Sequence, residues 1–246
     1  MSSRHTADTS DTADAARRST KRRQRDGAGA SARQPARPYH HGKLRQALID
    51  MAVVVAEETG KDLISVREVA RRLGVSSGAP FRHFPDREAL MTAVAEEATM
   101  RLRLRAERDL MDAPPRAMTR LKVLGRSFIE WALSHPTQFR LVSSRRLFDF
   151  DGSASLGTHF GVVRGMTLAL VRQAQAEGDL PAGAADELAL GLRALVYGLT
   201  RMQVDGQLAQ WQVPPAASAE TLIRTMDLLL DGLSQRAPAA GQDAAS

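Results

Sequence analysis

The sequence predicts an all-α protein with a small helical head and a helical-bundle body. Three observations carry this. Apolar residues recur at steps of three and four from Leu44 to Leu233. No stretch shows convincing strand alternation. Pro falls between the periodic runs rather than inside them, and Gly60, Gly74, Gly178 and Gly206 follow their ends.

Residues 1–38 mix Ala, Ser, Thr, Asp, Arg, Gly and Pro without periodic apolar residues, which predicts disorder. Within them Arg17–Arg25 packs six basic residues into nine. Such a run serves either as an arm that follows phosphates or a minor groove, or as a solubilising tail. The reading leans to an auxiliary DNA contact. Order is predicted to begin near Tyr39–Gly42. Leu44, Leu48, Met51 and Val55 then mark an amphipathic helix that Gly60 ends. Lys43 and Arg45 open this helix, where the dipole disfavours cations, and a phosphate partner would account for them.

Ser65–Phe84, SVREVARRLGVSSGAPFRHF, reads as two short helices and a tight turn. Ser65 and Glu68 have capping-box spacing. Val66, Val69, Ala70 and Leu73 share one face, and Gly74 supplies a left-handed stop. Ser76 or Ser77 can cap a second helix, which Pro85 must stop. That is the build of a helix-turn-helix, whose second helix enters a DNA major groove.

Asp86 is placed to cap a long helix through Leu90, Val94, Ala98 and Leu102, closed at the latest by Pro114 and Pro115. Leu121, Leu124, Phe128 and Trp131 define the next, ending before Pro136. Pro136 suits the first turn of a short helix carrying Phe139 and Val142. Residues 149–156 read as a loop. Phe160, Val163, Thr167, Leu170 and Ala174 define a helix closed by Gly178 and Pro181. Leu188, Leu192, Leu195, Leu199 and Met202 form another. After a connection over 206–215, Leu222, Met226, Leu229 and Leu233 form the last. Residues 237–246 form a polar tail.

Composition narrows the function classes. At 246 residues the chain can bury one or two cores. It has no cysteine, so no disulfide or thiolate metal site, which suits a reducing cytoplasm. No apolar run reaches the roughly 20 residues of a membrane span. The N-terminus lacks the apolar core of a signal peptide. Residues 1–110 hold 21 basic and 15 acidic side chains, the whole net excess of six, while residues 111–246 balance at 13 each. A positive field in the half that carries the helix-turn-helix is what a polyanion binder needs.

Tyr39–Leu90 resembles the TetR/AcrR family of bacterial transcription regulators. The resemblance lies in YHHGKLRQALIDMAV, SVREVARRLGVSSGAPFRHF and PDREAL, and covers about a fifth of the chain. It implies an N-terminal three-helix helix-turn-helix DNA-binding domain over 39–103. A C-terminal helical-bundle ligand-binding and dimerisation domain follows over 104–236. Ser76–Arg82 would be the recognition helix, with Ser76, Ser77, Gly78 and Ala79 nearest the bases. Phe81 stands where the family usually has a phosphate-contacting Tyr, and lacks the hydroxyl. Arg82 and His83 would face backbone or base edges. Arg87 stands where family members often carry a phosphate-contacting Lys. Ser65 and Val66 would offer backbone N–H groups, and Lys43 a further cation. Pro80 departs from the usual aliphatic residue, and a helix starting after Ser77 would be short. WALSHPTQFRLV, residues 131–142, resembles one C-terminal domain type of this family. Arg193–Leu199 matches that type's Trp–His–Gly signature in part: Tyr197 replaces the His, Gly198 is present and the Trp is absent.

The resemblance implies a cytoplasmic, nucleoid-associated repressor, working as a homodimer on a palindromic operator in double-stranded DNA and answering to a small-molecule effector. It implies no cofactor and no enzyme activity. The dimer would use Leu195, Leu199, Met202, Leu222, Met226, Leu229 and Leu233. Phe128, Trp131, His159, Phe160, Met166, Tyr197 and Arg201 are candidate pocket residues, polar groups among apolar helices. The alternatives are a nucleoid-type binder without sequence choice, or a helical enzyme or carrier with a relic head. Adjacent His40 and His41 point apart, with no ligand cluster to make a metal site. Ser143 and Ser144 lack a placed His–Asp pair and the nucleophile elbow. No phosphate-binding fingerprint occurs.

Overall fold

The computed structural model describes residues 41–234. The expected basic arm over 1–38, Tyr39, His40 and the tail from 237 lie outside the described residues. The described residues form eight α-helices and no strand: α1 (His41–Thr59), α2 (Val66–Arg72), α3 (Arg87–Met111), α4 (Ala117–Ser134), α5 (Pro136–Ser143), α6 (Ala154–Ala176), α7 (Ala185–Val204) and α8 (Ser218–Ser234).

The stops follow the sequence signals. Gly60, Gly74, Gly178 and Gly206 all have positive φ, between 64° and 76°, where a side chain would strain the backbone. Asp86 caps α3 by accepting the Ala89 N–H at 2.8 Å. Residues 149–156 are a loop only in their first half. Ser153 accepts the Leu156 N–H at 3.2 Å and starts α6 there.

Two apolar cores share α3. Leu48, Ala52 and Val55 of α1, Val66 and Val69 of α2, Phe84, and Leu90 and Val94 of α3 fill the first. Leu141, Leu147, Phe148 and Leu156 complete that core from later in the chain. From Ala98 onward α3 turns to the second, built with Leu121, Leu124 and Phe128 of α4, Val171 of α6, Val196 of α7 and Leu222, Met226 and Leu230 of α8. α4 and α8 pack so closely that a Cβ on Gly125 would collide with Met226 Sδ.

This packing corrects part of the expected dimer face. Leu222 and Met226 are each 1% exposed inside their own chain, so they cannot meet a partner. The outward apolar residues of the last two helices are Leu190, Leu228 and Leu229, exposed by 68%, 72% and 47%. Of the other expected residues, Leu195, Leu199, Met202 and Leu233 are half-buried. α8 has apolar residues on two sides, and spacing alone does not reveal which side α4 covers.

Candidate nucleic-acid interface and ligand cavity

Ser65 stands at the N-cap of α2 with an extended backbone, but its hydroxyl makes no cap bond, so the capping box does not form. Glu68 is engaged elsewhere. Arg71 reaches its two oxygens at 2.6 and 2.8 Å, and Arg72 reaches one at 3.0 Å. Two guanidiniums at i+3 and i+4 outcompete a neutral backbone donor for a carboxylate. These bonds hold the Glu68 carboxyl at about 2, well below its ordinary value. Arg72 also pairs with Glu58. The two arginines on this turn are therefore neutralised within the chain.

The expected recognition helix over Ser76–Arg82 contracts to one 3₁₀ turn, Pro80–Arg82. Pro80 has no N–H to donate to the Ser76 carbonyl, and the Ala79 N–H takes that carbonyl at 3.0 Å instead. The His83 and Phe84 N–H groups both reach the Pro80 carbonyl at 2.9 Å. Ser76 and Ser77 cap nothing; Ala79 holds the cap position without a side-chain bond. Pro80 is buried and seats the turn, while Ser76, Ser77, Gly78, Phe81 and Arg82 are exposed. Phe81 is 41% exposed, a large apolar ring on an otherwise polar rim. Ala79 and His83 are half-buried.

Lys43, Arg67, Arg82 and Arg87 are exposed and form no ion pair among the described residues. Arg67, two residues after Ser65, had no sequence signal beyond its charge. The Val66 side chain is buried, so only its backbone can face a ligand. Arg45 has a partner inside the fold, its guanidinium lying 5.4 Å from the Phe84 ring centroid. The charge of the folded head is small: residues 41–110 hold 12 basic and 11 acidic side chains, against nine and four in residues 1–38. The basic excess thus sits almost wholly in the N-terminal arm. The interface offers a few unpaired cations at fixed places, not a broad positive field.

In the body, Phe128, Trp131, Phe160 and Tyr197 line a cavity of about 200 Å³. Thr99, Phe139, Arg145 and Arg193 complete much of its wall. An apolar space of about 60 Å³ adjoins it through Leu102, Phe128 and Arg193. His159, Met166 and Arg201 do not line the cavity. Arg201 pairs with Asp205 one turn on at 2.7 Å, and Met166 packs against the body core. Phe128 meets Phe139 edge-on at 5.9 Å, and Phe139 lies 5.6 Å from Tyr197. The guanidinium of Arg193 sits 4.3 Å from the Phe128 centroid and 5.6 Å from that of Tyr197. That of Arg145 sits 3.3 Å from Phe150 and 4.9 Å from Phe160. Burial pushes both arginines below their ordinary range, and the charge of Arg145 pushes Arg193 further the same way. Neither arginine was among the expected pocket residues, because their meeting depends on how α6 and α7 pack.

No group of three His, Cys, Asp or Glu side chains that could hold a metal occurs among the described residues. No described helix is long and apolar enough to cross a membrane. Trp131 stacks on His135, whose Nδ1 lies 2.9 Å from the Trp131 carbonyl; this histidine joins α4 to α5.

Two family profiles match the chain. One, described as bacterial regulatory proteins of the tetR family, matches residues 48–94. The other, described as a tetracyclin repressor-like C-terminal domain, matches residues 121–226. Among curated proteins, the chain is 30% identical over 176 residues to the HTH-type transcriptional regulator BetI of Escherichia coli, covering 63% of this chain and 79% of that one. It is 28% identical over 204 residues to the HTH-type transcriptional repressor Rv1474c of Mycobacterium tuberculosis, covering 83% and 87%. Among solved structures, a protein of unknown function from Rhodococcus sp. RHA1 matches with a TM-score of 0.68 and 32% identity, over 81% of this chain and all of that one. A tetR-family regulatory protein from Rhodococcus RHA1 shares the fold at a TM-score of 0.62 and 18% identity, over 78% and 97%.

Proposed function

The chain belongs to the TetR family of transcriptional regulators, a family of DNA-binding proteins without enzymatic activity, and from that premise we propose that it is a ligand-released repressor acting as a homodimer on a near-palindromic operator. The head, residues 39–103, places the turn Pro80–Arg82 in a major groove. Ser76, Ser77, Gly78 and Ala79 approach the bases, and Phe81 packs on sugar or a thymine methyl. Arg82 and His83 face the backbone or base edges. Lys43, Arg67, Arg87 and the backbone of Ser65 and Val66 hold phosphates. The arm over 1–38 adds affinity with little sequence choice. The body, residues 104–236, binds the effector in the cavity beneath Phe128 and Tyr197 and dimerises through the outward faces of α7 and α8.

One observation carries this reading: Lys43, Arg67, Arg82 and Arg87, on the helices and turn of the head, are exposed and form no ion pair among the described residues, while neighbouring Arg71 and Arg72 are neutralised. Phosphate contacts at a few fixed points position a reader; a broad basic field only attracts. Two heads joined at the body would reach half-sites roughly 34–36 Å apart, one turn of the duplex. An effector can act only through a difference in affinity between two arrangements of the heads.

The test is selection of genomic fragments by the full-length protein, then competition between the best fragment and random DNA at physiological salt. A preference of about 10³ or more is expected of a specific regulator. Equal affinity for both would instead establish a nucleoid-type binder, which the concentration of basic charge in residues 1–38 favours as the alternative.

A further inference from the structure

Resting on the reading of the body as an effector site, we propose that the effector is an organic anion with an apolar body, its charged group held between Arg145 and Arg193. Both arginines line the same cavity wall, one from the turn after α5 and one from α7. Neither makes a hydrogen bond or ion pair among the described residues. Several body arginines have acids, Arg116 with Asp179, Arg164 with Asp186 and Arg201 with Asp205; Arg145 and Arg193 are the two without one that line this cavity. No Asp or Glu lines this cavity among the described residues. Asp151 is the carboxylate whose field reaches Arg145, and it forms no ion pair with it.

Each guanidinium carbon lies over an aromatic ring, Arg145 over Phe150 and Arg193 over Phe128, and a guanidinium held there by its flat face is not held through its N–H groups. Stacking leaves the N–H edge available, and that edge matches a carboxylate or another planar oxyanion. Two like charges brought together in a partly desolvated site disfavour each other, which an anion between them relieves. Both residues are exposed overall, and partial desolvation where the guanidiniums meet the aromatic rings lowers both from their ordinary value. Trp131 contributes its ring to this wall. It is 3% exposed, its indole N–H has no partner among the described residues, and it lines the same cavity. The rest of the wall is mostly apolar, from Leu102, Phe128, Phe139, Val142 and Phe160, with the Thr99 and Ser143 hydroxyls already donating to backbone carbonyls, so the body of the ligand is apolar. The volumes of about 200 and 60 Å³ suit a single ring with a short chain, or a medium alkyl chain.

The experiment is calorimetric titration of the full-length protein, without DNA, with 4-phenylbutyrate and decanoate, each against its uncharged amide. The expected result is that at least one carboxylate binds about tenfold or more tightly than its amide, as a charge-assisted hydrogen bond requires. Arg193→Gln and Arg145→Gln should each remove most of that difference, and Arg193→Lys should restore part of it. If neither carboxylate binds, if the amides bind as well, or if both Gln variants keep the preference, the proposal is overturned and the arginines serve only packing. A melting scan checks that each variant is folded; if only one Gln variant is folded, that variant's loss or retention of the preference decides the point. DNA selection is measured separately on protein without probe. Its failure would overturn the repressor reading, whereas loss of anion preference with DNA selection intact would overturn only this proposal.

Discussion

The hydroxyl of Thr92 on α3 accepts the backbone N–H of Asp149 at 3.0 Å, and one turn on the Ser153 hydroxyl donates to Glu96 at 2.6 Å. These two bonds fasten the loop between α5 and α6 to the head half of α3. Thr92→Val keeps the branched shape and removes the acceptor. It should lower the unfolding free energy by about 1 kcal/mol, read as a fall in the urea midpoint at constant slope. An unchanged midpoint would show that water replaces the bond at no cost.

Arg87 and Arg71 lie on the same head but differ in their partners. Arg87→Ala should weaken binding to all DNA sequences alike and reduce the salt slope by ~0.9, the value for one lost phosphate contact. Arg71→Ala should leave that slope close to wild type, because Glu68 already neutralises Arg71. Equal slopes for wild type and Arg87→Ala would remove Arg87 from the interface.

Phe81→Tyr restores a hydroxyl at an exposed ring. One added hydrogen bond to phosphate, about 1 kcal/mol, should tighten operator and random DNA by a similar factor of roughly five. A gain confined to the operator would mean that the ring reads bases.

Leu228→Arg and Leu229→Arg should give folded monomers in sedimentation, because each places a charge on the outward face of α8. Met226→Arg should instead unfold the body, since Met226 fills the gap against Gly125. A folded dimer of Leu228→Arg would move the interface away from α8.

Glu68 gives a pH prediction of definite sign. Its carboxyl is held at about 2 by hydrogen bonds from Arg71 and Arg72, below its unfolded value. Its contribution to stability is therefore present above the unfolded value and is lost as pH falls toward 2. Glu68→Gln should flatten this part of the acid limb in a denaturation series. It should also free Arg71 and raise affinity for random DNA; an unaltered acid limb would count against the assignment.

Much of the fold was legible because its boundaries are local. Gly60, Gly74 and Gly206 announce left-handed stops, and Asp86 announces a cap, without any knowledge of neighbours. The start of α6 was hidden by small polar residues. Ser153 looks like part of a loop until its hydroxyl is seen to hold the Leu156 N–H. The recognition segment was legible in place and not in length, since Pro80 shortens it by removing a donor. Leu222 and Met226 were misassigned because α8 has apolar residues on two sides and only tertiary packing chooses between them. Four aromatic wall residues of the cavity were readable as apolar helix positions near polar ones. Arg145 and Arg193 were not, because 48 positions separate them in the chain.

The turn from Arg145 to Phe148 limits how this protein can diversify. Arg145 borders the cavity, while Leu147 and Phe148, two and three residues later, are 6% and 3% exposed within the core of the head. Tyr197 and Arg193 belong to the body, so a lineage that changes its signal by altering either leaves the head's packing untouched, whereas Phe160 also packs against the core of the head. One that alters the turn itself disturbs reader and receptor together. Selection acting on the proposed effector site should therefore change α7 and spare positions 145–148 and the start of α6, where Leu156 and Phe160 pack into the same core.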